Sequence, residues 1–144
     1  MSTFVAISKK RRRKCVVLEA SMGDTFDEDV VEEFRKAKIM GVRAGTEHRY
    51  TGVWVVVVDD RVFARSWNDK ATGWFQAFRT EPRGTVQVDK LELPVRGKVV
   101  RSARLRDAVT VAFGEKYPTK GSRKWVEGFA EPARVVNTIE FIPN

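Results

Sequence analysis

Hydrophobic residues change their spacing along the chain, and each spacing predicts an element. From residue 25 they recur at helical spacing. The members of this stripe are Phe26, Val30, Val31 and Phe34. Thr25 and Glu28 fit a capping box, and basic residues follow in the last turns. We therefore predict a helix that begins at about residue 25 and stops near Gly41.

The period then changes to two, which is typical of strands. Residues 51–58 and 61–67 predict a hairpin, with Asp59 and Asp60 as its turn. Residues 84–89 and 91–100 predict a second hairpin, and residues 134–142 a closing strand. The closing strand would face inward through Val135, Asn137, Ile139 and Phe141.

Two further helices complete the pattern. A short one is predicted at residues 72–79, and a longer one follows Ser102, which can cap it. The apolar stripe of the longer helix is Leu105, Ala108, Val109, Ala112 and Phe113. No strand pair needs a parallel crossover, so the fold class is α+β, with a small antiparallel barrel or strongly curled sheet.

Composition agrees with one packed domain. The chain has 144 residues, of which 42% are hydrophobic. We assign residues 1–23 to an N-terminal arm and residues 24–144 to the domain. The longest apolar run, residues 53–58, is too short to span a bilayer, and nothing at the start resembles a secretory signal. With a single cysteine, a cytoplasmic protein is the expectation.

Charge is concentrated in the arm. Residues 9–14 supply six positive charges of the net +8, which leaves +2 for the rest of the chain. Such a tract can bind nucleic acid or another polyanion through counterion release. The simpler explanation, which we favour, is a solvated tail or an over-extended translation start.

Several chemistries are excluded by residue content. His48 and Cys15 are the single histidine and the single cysteine, and they lie in different segments. A His/Cys metal cluster is therefore not expected, and a Cys–His nucleophilic pair is not favoured. No glycine loop of the dinucleotide or P-loop type is present. The catalytic residues stay unknown, with Tyr50 as a conceivable proton donor.

The strand at residues 62–67 carries the main candidate site. Side chains alternate between faces, so the small Val62, Ala64 and Ser66 would point into a narrow barrel. Phe63, Arg65 and Trp67 would point outward and need a cover. That cover is a helix, a second subunit or a flat ligand.

An arginine between aromatic rings suits a planar ring that carries a phosphate. Asn68 and Lys70 add donors where the strand ends, and the short helix could complete the wall. Its candidate residues are Trp74, Phe75, Phe78 and Arg79. The alternative is an aromatic core or interface cluster around a snorkelling arginine.

The order of these elements resembles a known superfamily. The stretch that carries the likeness is VWVVVVDDRVFARSWNDKATGWFQAFRTEPRGTVQV, residues 53–88. It resembles the flavin-binding split-barrel superfamily (pyridoxamine-phosphate-oxidase-like) and, within it, the bacterial family called domain of unknown function 2255. It is also similar to the deazaflavin-dependent nitroreductases.

The resemblance implies a six-stranded antiparallel split β-barrel with two longer helices and one short helix. It implies a homodimer with the cofactor, FMN or a deazaflavin, in the groove between subunits. Carried over, the cofactor-binding residues are Arg65, Ser66, Trp67, Asn68, Lys70, Trp74 and Arg79. The deazaflavin enzymes carry a G-R-x-S-G loop where this chain has residues 44–50, and Arg49 would be the anion contact there.

The first hypothesis is therefore a flavin- or deazaflavin-binding protein, with hydride chemistry supplied by the cofactor. Whether the chain is an enzyme stays open. The alternatives are a non-enzymatic module that binds nucleic acid through its basic arm and loops, or a homodimer without cofactor.

Overall fold

A seven-stranded antiparallel sheet forms the centre of the computed structural model, which describes residues 25–144. The strands are β1 (Ile39–Ala44), β2 (Thr51–Trp54), β3 (Val56–Val58), β4 (Arg61–Arg65), β5 (Arg83–Val88), β6 (Leu91–Val99) and β7 (Thr138–Pro143). The α-helices are α1 (Glu28–Lys36), α2 (Trp74–Thr80), α3 (Ala103–Lys116), α4 (Arg123–Phe129) and α5 (Pro132–Val135). The predicted α+β class is confirmed.

The sheet is nearly closed because one stretch of chain lies at both of its ends. The strand order is β2-β1-β5-β6-β7-β4-β3, and only Val55 separates β2 from β3. The predicted strand 51–58 is thus present in two parts, and the sheet has seven strands where the resemblance implies six.

The interruption at Val55 is held by the end of α3. The Tyr117 hydroxyl accepts from Val55 N at 3.2 Å and donates to Lys38 O at 2.6 Å. The Lys116 ammonium donates to Val55 O at 2.7 Å and to Phe34 O at 2.9 Å. Two side chains therefore satisfy the backbone groups that have no strand partner there.

The predicted hairpins are confirmed. Asp59 and Asp60 adopt φ of 54° and 61°, the two positive values that a tight turn with right-handed strand twist requires. In the second hairpin, β5 pairs with β6 from Arg83↔Arg96 to Val88↔Leu91. Both turns join strands whose alternation the sequence shows.

The inside of the curled sheet is apolar, and we call it the barrel core. Val62 and Ala64 face it, as predicted, and both are fully buried. Its larger side chains come from several elements. They are Phe34, Met40, Phe75, Phe78, Leu93, Ile139 and Phe141.

A second apolar layer, which we call the outer core, covers the other face of β4. Phe63 packs there with Val109 and Phe113 of α3. The rest of this cluster is Val56, Val100, Leu105 and Tyr117. Of the covers considered for the outward face of β4, helices of the same chain are therefore the ones observed.

Element ends differ from prediction at three places. Helix α1 begins after Asp27, whose side chain accepts from Glu28 N, and it ends at Lys36 instead of Gly41. Gly41 lies in β1, where Met40, Val42 and Ala44 are buried with period two. The strand β1 was missed because the predicted helix was continued to Gly41 and residues 42–44 were assigned to no element.

The C-terminal segment also differs. Helices α4 and α5 are not predicted, and β7 begins at Thr138, so Val135 belongs to a helix and not to the closing strand. Ile139 and Phe141 face the barrel core as predicted. Ser102 caps α3 as predicted, since its Oγ accepts from Leu105 N at 3.2 Å.

Candidate functional site

An aromatic cleft of about 340 Å³ lies where β2, the end of β4, α2 and α4 meet. All four tryptophans of the chain line it. They are Trp54, Trp67, Trp74 and Trp125, joined by Phe129. Trp125 is 43% exposed at this cleft, so flat apolar surface is open to a ligand.

The wall of the cleft is held by close packing. The Trp54 ring stacks on Tyr117 with centroids 4.0 Å apart and planes 5° apart. Trp67 meets Trp125 edge-on at 5.0 Å, and the Arg134 guanidinium lies 3.7 Å from the Trp67 ring centre. Behind Trp67, a Cβ on Gly128 would come within 2.2 Å of the indole, so a glycine is required there.

Arg65 borders this cleft and is 2% exposed. Its guanidinium donates to Thr138 Oγ1 at 2.8 Å, Thr110 Oγ1 at 2.8 Å, Phe129 O at 2.7 Å and Arg106 O at 3.0 Å. Burial, together with the charge of Arg106, lowers the pKa of Arg65 to about 10. Most of its donors therefore tie α3 and α4 to the sheet.

A polar pocket of about 200 Å³ adjoins the aromatic cleft. The two share Thr51 and Trp74, and the pocket carries Arg43, His48 and Arg49. Arg49, predicted as an anion contact, therefore lies near Trp74. The pocket is open to solvent on the side of the loop between β1 and β2, since His48 and Arg49 are exposed.

Arg43 supplies an unused donor beside this pocket. Its Nε is buried and has no hydrogen-bond partner among residues 25–144. Its guanidinium lies 4.6 Å from the centre of the Tyr50 ring, and the Tyr50 hydroxyl donates to Glu92 at 3.1 Å. Arg43 and Arg49 give the pocket two positive charges, which suit an anionic group.

The donors predicted after β4 form a turn. The Ser66 hydroxyl bonds to Asn68 O, and Asn68 Oδ1 accepts from Lys70 N at 3.2 Å. Gly73 N donates to Lys70 O at 3.0 Å and leads the chain into α2. Ser66, Asn68 and Lys70 line neither the aromatic cleft nor the polar pocket.

Arg79 lies elsewhere. It borders a separate cleft with Arg61, Lys98 and Arg101. Of the eight predicted residues, the structure thus gathers Arg65, Trp67 and Trp74 at the aromatic cleft and places Arg49 next to them.

Sequence reasoning missed Arg43, Trp54, Trp125 and Phe129. Trp125 and Phe129 stand four residues apart, which on a helix places them on one face, and this spacing was available as a signal. Arg43 alternates with Val42 and Ala44 in β1, so finding that strand would have found it. Trp54 was taken as part of a strand without a role.

Some predictions are not decided by this geometry. The basic tract at residues 9–14 lies outside the described residues, so its contact with nucleic acid stays a prediction. In residues 25–144, no group of three or more His, Cys, Asp or Glu side chains is arranged to hold a metal ion. None of the helices in that range has the length and apolar character needed to cross a bilayer.

Fold and site together define an α+β protein with a nearly closed antiparallel sheet and an aromatic cleft on its outside. The chain belongs to the family described as uncharacterized protein conserved in bacteria (DUF2255), which matches residues 25–140. The resemblance to this family is therefore confirmed. No curated protein matches the chain.

Two solved structures share the fold. One is the conserved hypothetical protein Rv2991 from Mycobacterium tuberculosis, with a TM-score of 0.54 and 14% identity over 85% of this chain and 82% of that one. The other is an F420-H2 dependent reductase (FDR-A), with a TM-score of 0.52 and 14% identity over 72% of this chain and 90% of that one. At this identity the likeness concerns the fold.

Proposed function

We propose that the chain binds flavin mononucleotide or a deazaflavin, with the ring in the aromatic cleft and the phosphate at the polar pocket. The observation that carries the proposal is the convergence of all four tryptophans on one cleft that shares Trp74 with a cationic pocket. A planar ring joined to an anion matches these two neighbouring environments.

The residues take different parts in this proposal. Trp67 and Trp74 would pack against the ring, and Arg65 would hold the wall behind it. Arg49 and Arg43 would bind the phosphate. The turn through Ser66, Asn68 and Lys70 would set the position of α2 and hence of Trp74. A bound flavin would supply hydride chemistry, while the chain orients the ring and excludes water.

The fold supports the same assignment. If β2 and β3 are counted as one strand interrupted at Val55, the strand count becomes six, the number that the resemblance implies for a split barrel. The fold likeness to an F420-H2 dependent reductase is consistent with this class.

A homodimer is part of the proposal. Ile39 and Trp125 are 55% and 43% exposed, and both line the aromatic cleft. A second copy across the cleft would cover these apolar side chains and close the ligand site. Sedimentation of the purified protein tests the homodimer. A protein that stays monomeric at all concentrations would exclude it.

Ligand binding can be tested by tryptophan fluorescence, because every tryptophan of the chain lies at the cleft. Flavin mononucleotide and the deazaflavin of the reductase are titrated separately into the full chain. We expect quenching that saturates, and a higher Tm when the ligand is in excess. If no flavin causes either quenching or a Tm shift, the proposal is excluded.

A matched pair of variants locates the phosphate. Arg49→Gln removes an exposed arginine of the polar pocket, and Arg123→Gln removes an exposed arginine outside it. We expect Kd to rise about tenfold, equivalent to roughly 1.4 kcal/mol, for Arg49→Gln. The Arg123→Gln variant should bind as the parent does. Equal affinities for all three proteins would place the phosphate elsewhere.

A further inference from the structure

A separate cleft of about 580 Å³, which we call the basic cleft, lies between the end of β6, the end of α2 and the first turn of α3. It shares no lining residue with the aromatic cleft or the polar pocket. Its volume lies within the range of small-molecule sites, about 300–1,000 Å³. It is therefore large enough to hold a ligand of its own.

The charge of this cleft is strongly one-sided. Four basic side chains and one acidic side chain line it, which leaves three net positive charges. The acidic one is Glu140, and both of its carboxylate oxygens are taken by Arg61, at 2.9 Å and 2.8 Å. Glu140 is 5% exposed, so this pair is part of the wall.

The other three cations are left without a counter-charge. Arg79, Lys98 and Arg101 form no ion pair with any residue in 25–144. Lys98 stands opposite Glu140 across the strands, yet the carboxylate bonds to Arg61 instead. The first turn of α3 contains no acidic residue either. Three like charges around one concavity attract anions and hold them at the rim.

The floor of the cleft is apolar. Half-buried Val99 lines it with the more deeply buried Val100 and Leu105, and beneath them the buried Phe78 ring lies over Gly97. A Cβ on Gly97 would come within 2.9 Å of that ring, so this approach depends on a glycine. A cationic rim above an apolar floor suits a ligand that has both a charged and an apolar part.

We propose that the basic cleft binds a small organic anion, with its phosphate or paired carboxylates at Arg79, Lys98 and Arg101 and its apolar part on the floor. The proposal is independent of flavin binding at the aromatic cleft. Phe78 is the aromatic residue of this cleft, and it is 1% exposed. Bases of a single strand would therefore find no open ring to stack on, which favours a small ligand over nucleic acid.

The test uses the isotopically labelled full chain, titrated with phenyl phosphate and with inorganic phosphate near physiological ionic strength. Binding is followed by the amide signals of Gly97 and Ser102 at the basic cleft and of Gly52 and Thr72 at the other two sites. We expect saturable shifts at Gly97 and Ser102, with phenyl phosphate binding more tightly than inorganic phosphate. Shifts confined to Gly52 and Thr72 would overturn the assignment.

A charge-matched pair of variants tests the rim. The cleft variant combines Arg79→Gln, Lys98→Gln and Arg101→Gln. The control removes the same charge at three exposed residues away from it. Its substitutions are Lys90→Gln, Lys120→Gln and Arg123→Gln. We expect Kd for phenyl phosphate to rise at least about tenfold in the cleft variant and to change by less than about twofold in the control.

Three results would overturn the proposal. Equal weakening in both variants would mean attraction by net charge alone. If neither anion binds to the parent protein, a small organic anion is excluded as the ligand of this cleft. An oligonucleotide that loses affinity in the cleft variant, while phenyl phosphate does not bind the parent, would identify the surface as a nucleic-acid contact. Should the triple variant unfold, Arg101→Gln alone is expected to show a smaller rise of Kd in the same direction.

Discussion

The two faces of β4 are packed in different ways. The barrel core on the inner face is made of aliphatic and aromatic side chains. On the outer face, the buried Arg65, Thr138 and Glu140 lie beside Phe63, because β4 pairs with β7 in the register Phe63↔Glu140 and Arg65↔Thr138. The side chains of the inner layer are apolar, whereas the outer layer adds directed hydrogen bonds from Arg65 to its apolar packing.

This difference shows how the helices obtain a unique position. An apolar surface tolerates sliding, because burial is not directional. The Arg65 donors reach two helices and a strand at defined acceptors, and Lys116 and Tyr117 reach the interrupted strand at Val55. Helix α4, which carries Trp125 and Phe129 of the aromatic cleft, is therefore positioned by the bond from Arg65 to Phe129 O as well as by packing.

The largest effect is expected in the barrel core. Phe141 is 1% exposed and its ring lies 5.1 Å from that of Phe78. Phe141→Ala should lower the free energy of unfolding by about 3–5 kcal/mol, because it removes buried apolar contacts and leaves a cavity in the barrel core. Urea denaturation measures the loss. Ile142→Ala, one residue along on the other face and half-buried, is the control and should cost far less. Similar losses would contradict the division into two layers.

An intermediate effect is expected at Arg65. Arg65→Leu keeps an apolar contact with Phe113 but leaves four acceptors without their donor. We expect the free energy of unfolding to fall by about 3 kcal/mol. Relative to the parent, amide hydrogen exchange should accelerate more in α4 than in β5. Arg79→Leu, at an exposed arginine, should change stability by no more than about 0.5 kcal/mol. Unchanged exchange in α4 would show that apolar packing alone holds that helix.

The smallest effect is a pH dependence from Lys116. Burial lowers the pKa of Lys116 from 10.5 to about 8, so the folded chain releases this proton before the unfolded chain does. The free energy of unfolding should therefore rise as the pH increases from about 8 to about 10. Above that range Tyr117 acts in the opposite sense, since burial raises its pKa from 10.0 to about 12.

A variant isolates this contribution. Urea midpoints at two pH values within that window should differ less for Lys116→Met than for the parent. Lys120→Met, at an exposed lysine, should keep the slope of the parent. If Lys116→Met retains the full slope, the ammonium is not the group that titrates.

The chain order of apolar and polar residues determined the local elements. Alternation at residues 51–58 and 61–65 and the turn at Asp59 and Asp60 depend on neighbours in sequence, and so do the stripe and the Ser102 cap of α3. Membership of the family could also be predicted, because it rests on the order of these elements. Such features need no knowledge of distant contacts.

Tertiary structure decided the rest. The four tryptophans come from positions 54 to 125 and meet only because the sheet curls until β2 approaches the end of β4. The packing of α3 and α4 on the outer face of β4 decided that Arg65 is buried and bonded to both helices. Contacts between residues far apart in sequence set these outcomes. Alternation within a strand predicts which side chains share a face, but it does not predict what covers that face.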